Sequence, residues 1–302
     1  MSRQPAYARI SMPASLEAFD LEVQGCAWSG WRSLTGQDQT PVVLMLHGTG
    51  GSRVSWRPVL QCLEEKAAGW DILVPDLPGH DASHCARHRQ HGLREMADDL
   101  QALLQALGIR QVDLVVGHSA GAAVAIWLSL LGVPIKKILG VTPSLVPPPA
   151  FYNLMLGPLL TPLFVSGLSV SGLSALARGT RIVDGLIAST GSRIPDDQQE
   201  EYRRIFAQRS HVKGAIEFMA GTDLPTLLAR GHELQAELSL LIAEDDRWIP
   251  ASGLRRVARE HFPKADLQFC TGGHLVQEVD PGLVARSMQQ FLSSESPKNG
   301  AS

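Results

Sequence analysis

Residues 112–127 read "VDLVVGHSAGAAVAIW", and this passage constrains the fold more than any other in the chain. Val112 to Val116 is an apolar run suited to a buried strand, and the alanine-rich segment after Gly121 suits a buried helix. Between them stands Gly117-His118-Ser119-Ala120-Gly121, a G-x-S-x-G sequence in the strand–turn–helix setting that the motif needs. Such a turn is sharp and strained, and it lifts the Ser119 hydroxyl above the edge of a sheet. Side chains at 117 and 121 would collide with neighbouring backbone, so glycine is expected at both. The helix N-terminus behind the serine favours negative charge developing in front of it.

The flanking chain repeats the same alternation. "PVVLMLHG" and "WDILVP" read as strands, and "LREMADDLQALLQALG" as a helix with Met96, Leu100, Leu103, Leu104 and Leu107 on one face and Gly108 as its stop. "KKILGV", "LSLLIA" and "DLQFC" supply three more strands, and a helix runs from about Pro281 to Leu292. Apolar strands alternating with amphipathic helices predict an α/β fold, a mainly parallel sheet with helices on both faces. "FDLEVQGCAWSGWRSL" suits an antiparallel pair at the sheet edge.

One connection is out of proportion. From Val141 to Leu238 lie about 95 residues, where a crossover usually takes one or a few dozen. The gap contains "FYNLMLGPLLTPLFVSGLSVSGLSALA", residues 151–177, without a charged side chain. Prolines break it, and its longest proline-free part, Leu163 to Ala177, would be about 22 Å as a helix, short of a bilayer core. "PDDQQEEYRRIFAQ", acidic at its start and basic at its end, and "HVKGAIEFMAG" suggest two further helices here. The expected organisation is a core domain of residues 1–144 and 231–292, an inserted helical cap of residues 145–230, and a disordered tail, 293–302. The apolar surplus of the cap would line a large pocket for a hydrophobic substrate or touch a membrane surface. His118, Phe151, Leu154, Leu159, Phe164, Phe218 and Met219 are the candidate lining residues.

A serine hydroxyl needs a base to take its proton. His274 in "CTGGHLVQE", just after the last strand, is the candidate, and a carboxylate must hold its imidazole. Asp246 in "LIAEDDRWIP" fits best, four residues before Pro250 in a G-x-x-D-x-x-I-P-like frame with Ala243 in place of glycine. Asp245 is the second candidate. Oxyanion donors are assigned to the backbone N–H groups of Thr49, in the "LHGTGGSRVSW" loop, and Ala120.

The remaining composition excludes more than it adds. A net charge of −3 without a basic run offers nothing for nucleic acid. The four cysteines, Cys26, Cys62, Cys85 and Cys270, form no CxxC pair and suit reduced thiols in a cytoplasm, and no secretory signal is evident. His80, His84, His88 and His91 lack partner ligands at metal-site spacing, and no phosphate loop or dinucleotide fingerprint is present, so neither metal nor cofactor is expected.

Over nearly its full length the chain resembles the α/β-hydrolase superfamily, in which nucleophile, acid and base follow in the order seen for Ser119, Asp246 and His274. Serine at the nucleophile position argues against dehalogenase- or epoxide-hydrolase-like chemistry, where the family pattern places aspartate. Within the superfamily, "HGTGGSRVSW", "GHSAGAAVAIWLSL" and "STGSRIPDDQQEEYRRIFAQRSHVKGAIEFMAGTDL" are similar to the magnesium chelatase accessory proteins of bacteriochlorophyll gene clusters. That resemblance implies a role beside magnesium insertion into protoporphyrin IX, with contact to magnesium chelatase, and an apolar cap would suit a flat tetrapyrrole or its ester as the hydrophobic substrate. Three chemistries stay open: a serine esterase, a C–C bond hydrolase, and a non-hydrolytic accessory that binds a tetrapyrrole or a partner.

Overall fold

The computed structural model describes residues 16–37, 39–63, 69–85, 92–146 and 181–294. Its strands are β1 (Glu17–Val23), β2 (Cys26–Ser33), β3 (Val42–Leu46), β4 (Asp71–Pro75), β5 (His84–Cys85), β6 (Val112–His118), β7 (Ile135–Val141), β8 (Glu237–Ala243) and β9 (Asp266–Cys270). They form one sheet in the order β1-β2-β4-β3-β6-β7-β8-β9, with β5 paired to β2. β1, β2 and β5 pair antiparallel, as does β2 with β4, and the sheet from β4 to β9 is parallel.

Side chains alternate across that sheet as the pleat requires. Leu44, Leu46, Leu240 and Ile242 pack on one face beneath α2 (Leu93–Ala106) and α3 (Ala120–Leu130). Val43, Met45, Val141 and Leu241 pack on the other, beneath α1 (Arg57–Leu63) and α10 (Pro281–Ser293). The four leading residues of the predicted α2 stripe, Met96, Leu100, Leu103 and Leu104, are buried, and Leu107 packs at its margin. Burying such side chains stabilises a fold by about 1.5–3 kcal/mol each.

Between β7 and β8 the chain inserts α4 (Arg181–Ser189), α5 (Asp196–Phe206), α6 (Arg209–Ala220) and α7 (Leu224–Ala229). Two more helices follow β8: α8 (Ala251–His261), before β9, and the short α9 (Val276–Val279), after it. The uncharged stretch 151–177 lies outside the described residues, as does most of the predicted tail; Ser293 itself closes α10. Among the described residues no helix is long and apolar enough to cross a membrane.

One expectation is corrected. Cys26 and Cys85 form a disulfide, although they stand 59 residues apart. Pairing of β2 with β5 sets them directly opposite each other. That register is a long-range property no local spacing reveals. Cys62 and Cys270 are free.

Candidate active site

Ser119 occupies the turn between β6 and α3 with φ 52° and ψ −120°, a conformation few non-glycine residues adopt. Three hydrogen bonds hold it there: its N–H donates to Val141 O, and its carbonyl accepts from Ala122 and Ser144. The flanking glycines are needed for the close approach. A Cβ at Gly117 would lie 2.5 Å from Ala122 backbone, and one at Gly121 2.4 Å from Leu46 O.

The loops after β8 and β9 bring two side chains to that turn. His274 Nε2 lies 2.9 Å from Ser119 Oγ, and its Nδ1 lies 2.7 Å from Asp246 Oδ2. Asp246 Oδ1 accepts from the N–H groups of Trp248 and Ile249, so the carboxylate is fixed by its own loop. All three residues are buried. With Nδ1–H donated to the carboxylate, Nε2 is the ring nitrogen left to accept from the serine hydroxyl. Asp245 is turned elsewhere: it is exposed and its Oδ2 accepts from Gly272 N–H.

The candidate oxyanion donors flank the same turn. Ala120 is the first residue of α3, where an N–H has no partner within the helix. Thr49 lines the cleft above Ser119. Its orientation is set by His47, whose Nε2 accepts from Leu77 N–H at 2.9 Å, so the proton sits on Nδ1, 2.8 Å from Gly48 O. Gly51 N–H donates to the same carbonyl. In a trans peptide the carbonyl and the next N–H point opposite ways, so fixing Gly48 O also fixes Thr49 N–H. Burial holds the His47 ring neutral, its pKa lowered to about 4.

His118, expected to touch substrate, lines the cleft but has a second attachment. Its Nε2–H donates to the His274 carbonyl at 3.0 Å, and Thr142 Oγ1 donates to the same oxygen. Burial, with the His274 ring nearby, drives the His118 pKa well below its ordinary value.

The cleft walls come from α4, α5 and the loops that carry Asp246 and His274: Val183, Leu186, Ile187, Phe206, Trp248 and Leu275. Among the described residues it encloses about 40 Å³. Phe151, Leu154, Leu159 and Phe164 lie outside the described residues. Phe218 and Met219 are not among the described lining residues. Phe218 is fully buried in the core and packs edge-on against His80, and Met219 is half-buried. Val183, Ile187, Tyr202 and Phe206 were not foreseen. Their i, i+4 pairing on α4 and α5 is the signal that could have found them.

Behind Tyr202 the wall turns polar. Its hydroxyl donates to Glu278 Oε1 at 2.7 Å, and among the described residues Glu278 Oε2 has no hydrogen-bond partner. Burial raises the Glu278 pKa to about 8. An unfolded glutamate ionises from about pH 4.5 while the folded one keeps its proton, so the contribution of Glu278 to stability falls as pH rises from about 4.5 to about 8 and then levels. Glu278→Gln should remove a few kcal/mol of that dependence, read by urea unfolding at pH 5 and pH 8. An unchanged slope in the variant would place the titration elsewhere.

His80 also has a structural setting, between His47 and His211, while His84 is exposed and His88 and His91 lie outside the described residues. The one group of possible metal ligands among the described residues is Cys26, Cys85 and Asp99, and its two cysteines are joined as the disulfide.

Comparison with known proteins follows this geometry. A family model described as "Alpha/beta hydrolase family" matches residues 43–287. The "Magnesium-chelatase 30 kDa subunit" of Rhodobacter capsulatus is 31% identical over 254 residues, covering 82% of this chain and 86% of that protein. Among solved structures, a haloalkane dehalogenase loop variant from Bradyrhizobium elkanii superposes with a TM-score of 0.71 at 18% identity, covering 93% of this chain and 97% of that one. The epoxide hydrolase CorEH superposes with a TM-score of 0.71 at 18% identity, covering 92% and 99%. At such identities these two structures speak to the fold alone.

Proposed function

The chain belongs to the α/β-hydrolase family, and within it we propose a serine hydrolase that cleaves an ester or related acyl bond. The observation that carries this reading is the continuous contact from Ser119 Oγ through His274 to Asp246 at the base of an apolar cleft. Binding alone gives no reason to bury an alcohol, an imidazole and a carboxylate in that order.

The chemistry follows from the positions. Ser119 Oγ attacks the substrate carbonyl as His274 Nε2 takes its proton, and Asp246 stabilises the imidazolium. The N–H groups of Thr49 and Ala120 hold the oxyanion, with the N-terminus of α3 adding its dipole. Collapse expels the leaving group, protonated by His274, and leaves an acyl group on Ser119. Water, deprotonated by the same imidazole, then releases the acid and restores the serine. Residues 145–230 serve as a cap whose apolar side chains receive the hydrophobic part of the substrate.

The Rhodobacter capsulatus relative supports a place for this reaction beside magnesium insertion into a tetrapyrrole, with a tetrapyrrole ester as substrate class and magnesium chelatase or a membrane surface as the neighbouring partner. A fluorophosphonate probe should label the wild type and leave Ser119→Ala unlabelled. Folded wild-type protein that takes no label would remove the hydrolase reading. The relative's name also favours a second reading, an accessory that binds a tetrapyrrole or a partner and hydrolyses nothing. It predicts that Ser119→Ala supports magnesium insertion into protoporphyrin IX as well as the wild type does.

A further inference from the structure

The turn joining α4 to α5, Thr190-Gly191-Ser192, belongs to the inserted segment yet lies between the two loops that carry Asp246 and His274. Thr190 O accepts from His274 N–H at 3.1 Å and from Arg247 N–H at 3.4 Å. Ser192 Oγ accepts from Leu275 N–H at 2.9 Å. The turn is braced internally, with Ser192 N–H donating to Thr190 Oγ1 and that hydroxyl donating to Ile187 O. Thr190 and Ser192 are both buried.

Backbone contact is equally close. Gly191 has φ +81°, and a Cβ there would sit 2.7 Å from Asp245 O. A Cβ on Gly273, one residue before the histidine, would sit 2.5 Å from Gly191 C. Two residues of the inserted segment, Thr190 and Ser192, thus accept bonds from the residue after Asp246, from His274 and from the residue after His274. The strands β8 and β9 fix where these loops begin. Thr142 and His118 fix the His274 carbonyl from the core side. The turn supplies the opposing attachment.

We infer that Thr190-Gly191-Ser192 is a positioning element of the proton relay, so that the inserted segment holds the base in register with Ser119 as well as covering the cleft. The inference rests on the hydrolase reading. A displacement of an ångström at a relay atom costs up to about a hundredfold in rate, so small slack in this turn is felt at the serine.

The test uses the full chain with Ser192→Ala, Ser192→Thr and Ser119→Ala as the unlabelled control. Ser192→Ala should lower the second-order rate of fluorophosphonate labelling by about tenfold. Labelling needs the neutral imidazole, and a looser contact with Asp246 should move the midpoint of its pH profile to lower pH. Amide hydrogen exchange across residues 271–276 should speed up while the melting temperature changes little. Ser192→Thr keeps the hydroxyl and should recover most of the rate. Wild-type labelling and pH profile in Ser192→Ala would overturn the inference. So would a slower rate accompanied by a lower melting temperature with no change in the profile. Absence of label on the wild type removes the hydrolase reading instead, and unchanged exchange at 271–276 would then remove the positioning claim independently.

Discussion

Asp246→Asn should lower kcat for hydrolysis of a p-nitrophenyl ester by about 10⁴-fold while leaving the fold intact. Asp246 Oδ2 sits 2.7 Å from His274 Nδ1, so an amide nitrogen at that position would face a ring N–H or force the other tautomer. The other tautomer carries its proton on Nε2, the nitrogen that has to accept from Ser119. The other carboxylate oxygen accepts two backbone N–H groups, and an asparagine Oδ1 keeps those bonds, so the loop holds its shape. Asp245→Asn is the paired control and should change kcat little, because that side chain is exposed and bonds only Gly272 N–H among the described residues. Equal losses in the two variants, or a larger loss at Asp245, would reverse the assignment.

Gly121→Ala should destabilise the fold by about 3 kcal/mol or more, the scale of a severe clash in a packed interior. The added methyl would stand 2.4 Å from Leu46 O and 2.6 Å from His47 O, backbone atoms at the end of β3 that no rotamer change can move aside. The same atoms begin the loop that carries Thr49, so activity surviving in any folded fraction should fall as well. Gly185→Ala supplies the contrast. It lies on an exposed face inside α4 with no atom within 4 Å of its Cβ position, and alanine there should stabilise by up to about 1 kcal/mol. Urea unfolding of both variants reads the difference. A Gly121→Ala protein as stable as the wild type would mean that β3 and α3 are not held this tightly together.

These two expectations differ in how early they could be formed. Gly117 was legible as an obligatory glycine from local stereochemistry, since its Cβ would meet the backbone of Ala122, whereas Gly121 was legible only through the motif, because what its Cβ would meet is the end of β3. The β strands were legible for a related reason: runs such as Val43 to Leu46 have to be buried on both faces of a parallel sheet and so carry no polar residues. The cleft walls were harder. The uncharged stretch drew attention to Phe151, Leu154, Leu159 and Phe164, yet the described walls come from the charged helix α5 and its neighbour α4. Tyr202 and Phe206 there stand among acidic and basic residues, and composition hides a two-residue apolar stripe. Phe218 packs in the core against His80, since an aromatic in the inserted segment can face the core as readily as a cleft.

The sequence by itself determined the alternation of strands and helices and the strand–turn–helix that presents Ser119, because each depends on patterns no longer than an element or two. Only the tertiary structure decided which of two adjacent aspartates meets His274, that Cys26 bonds Cys85, and that Thr190 and Ser192 lie against the base. Those are contacts between loops. Ser119 and His274 are 155 residues apart. What brings such groups together is the register of β6, β8 and β9 and the packing that closes around them, a sum over many distant residues that no local window contains.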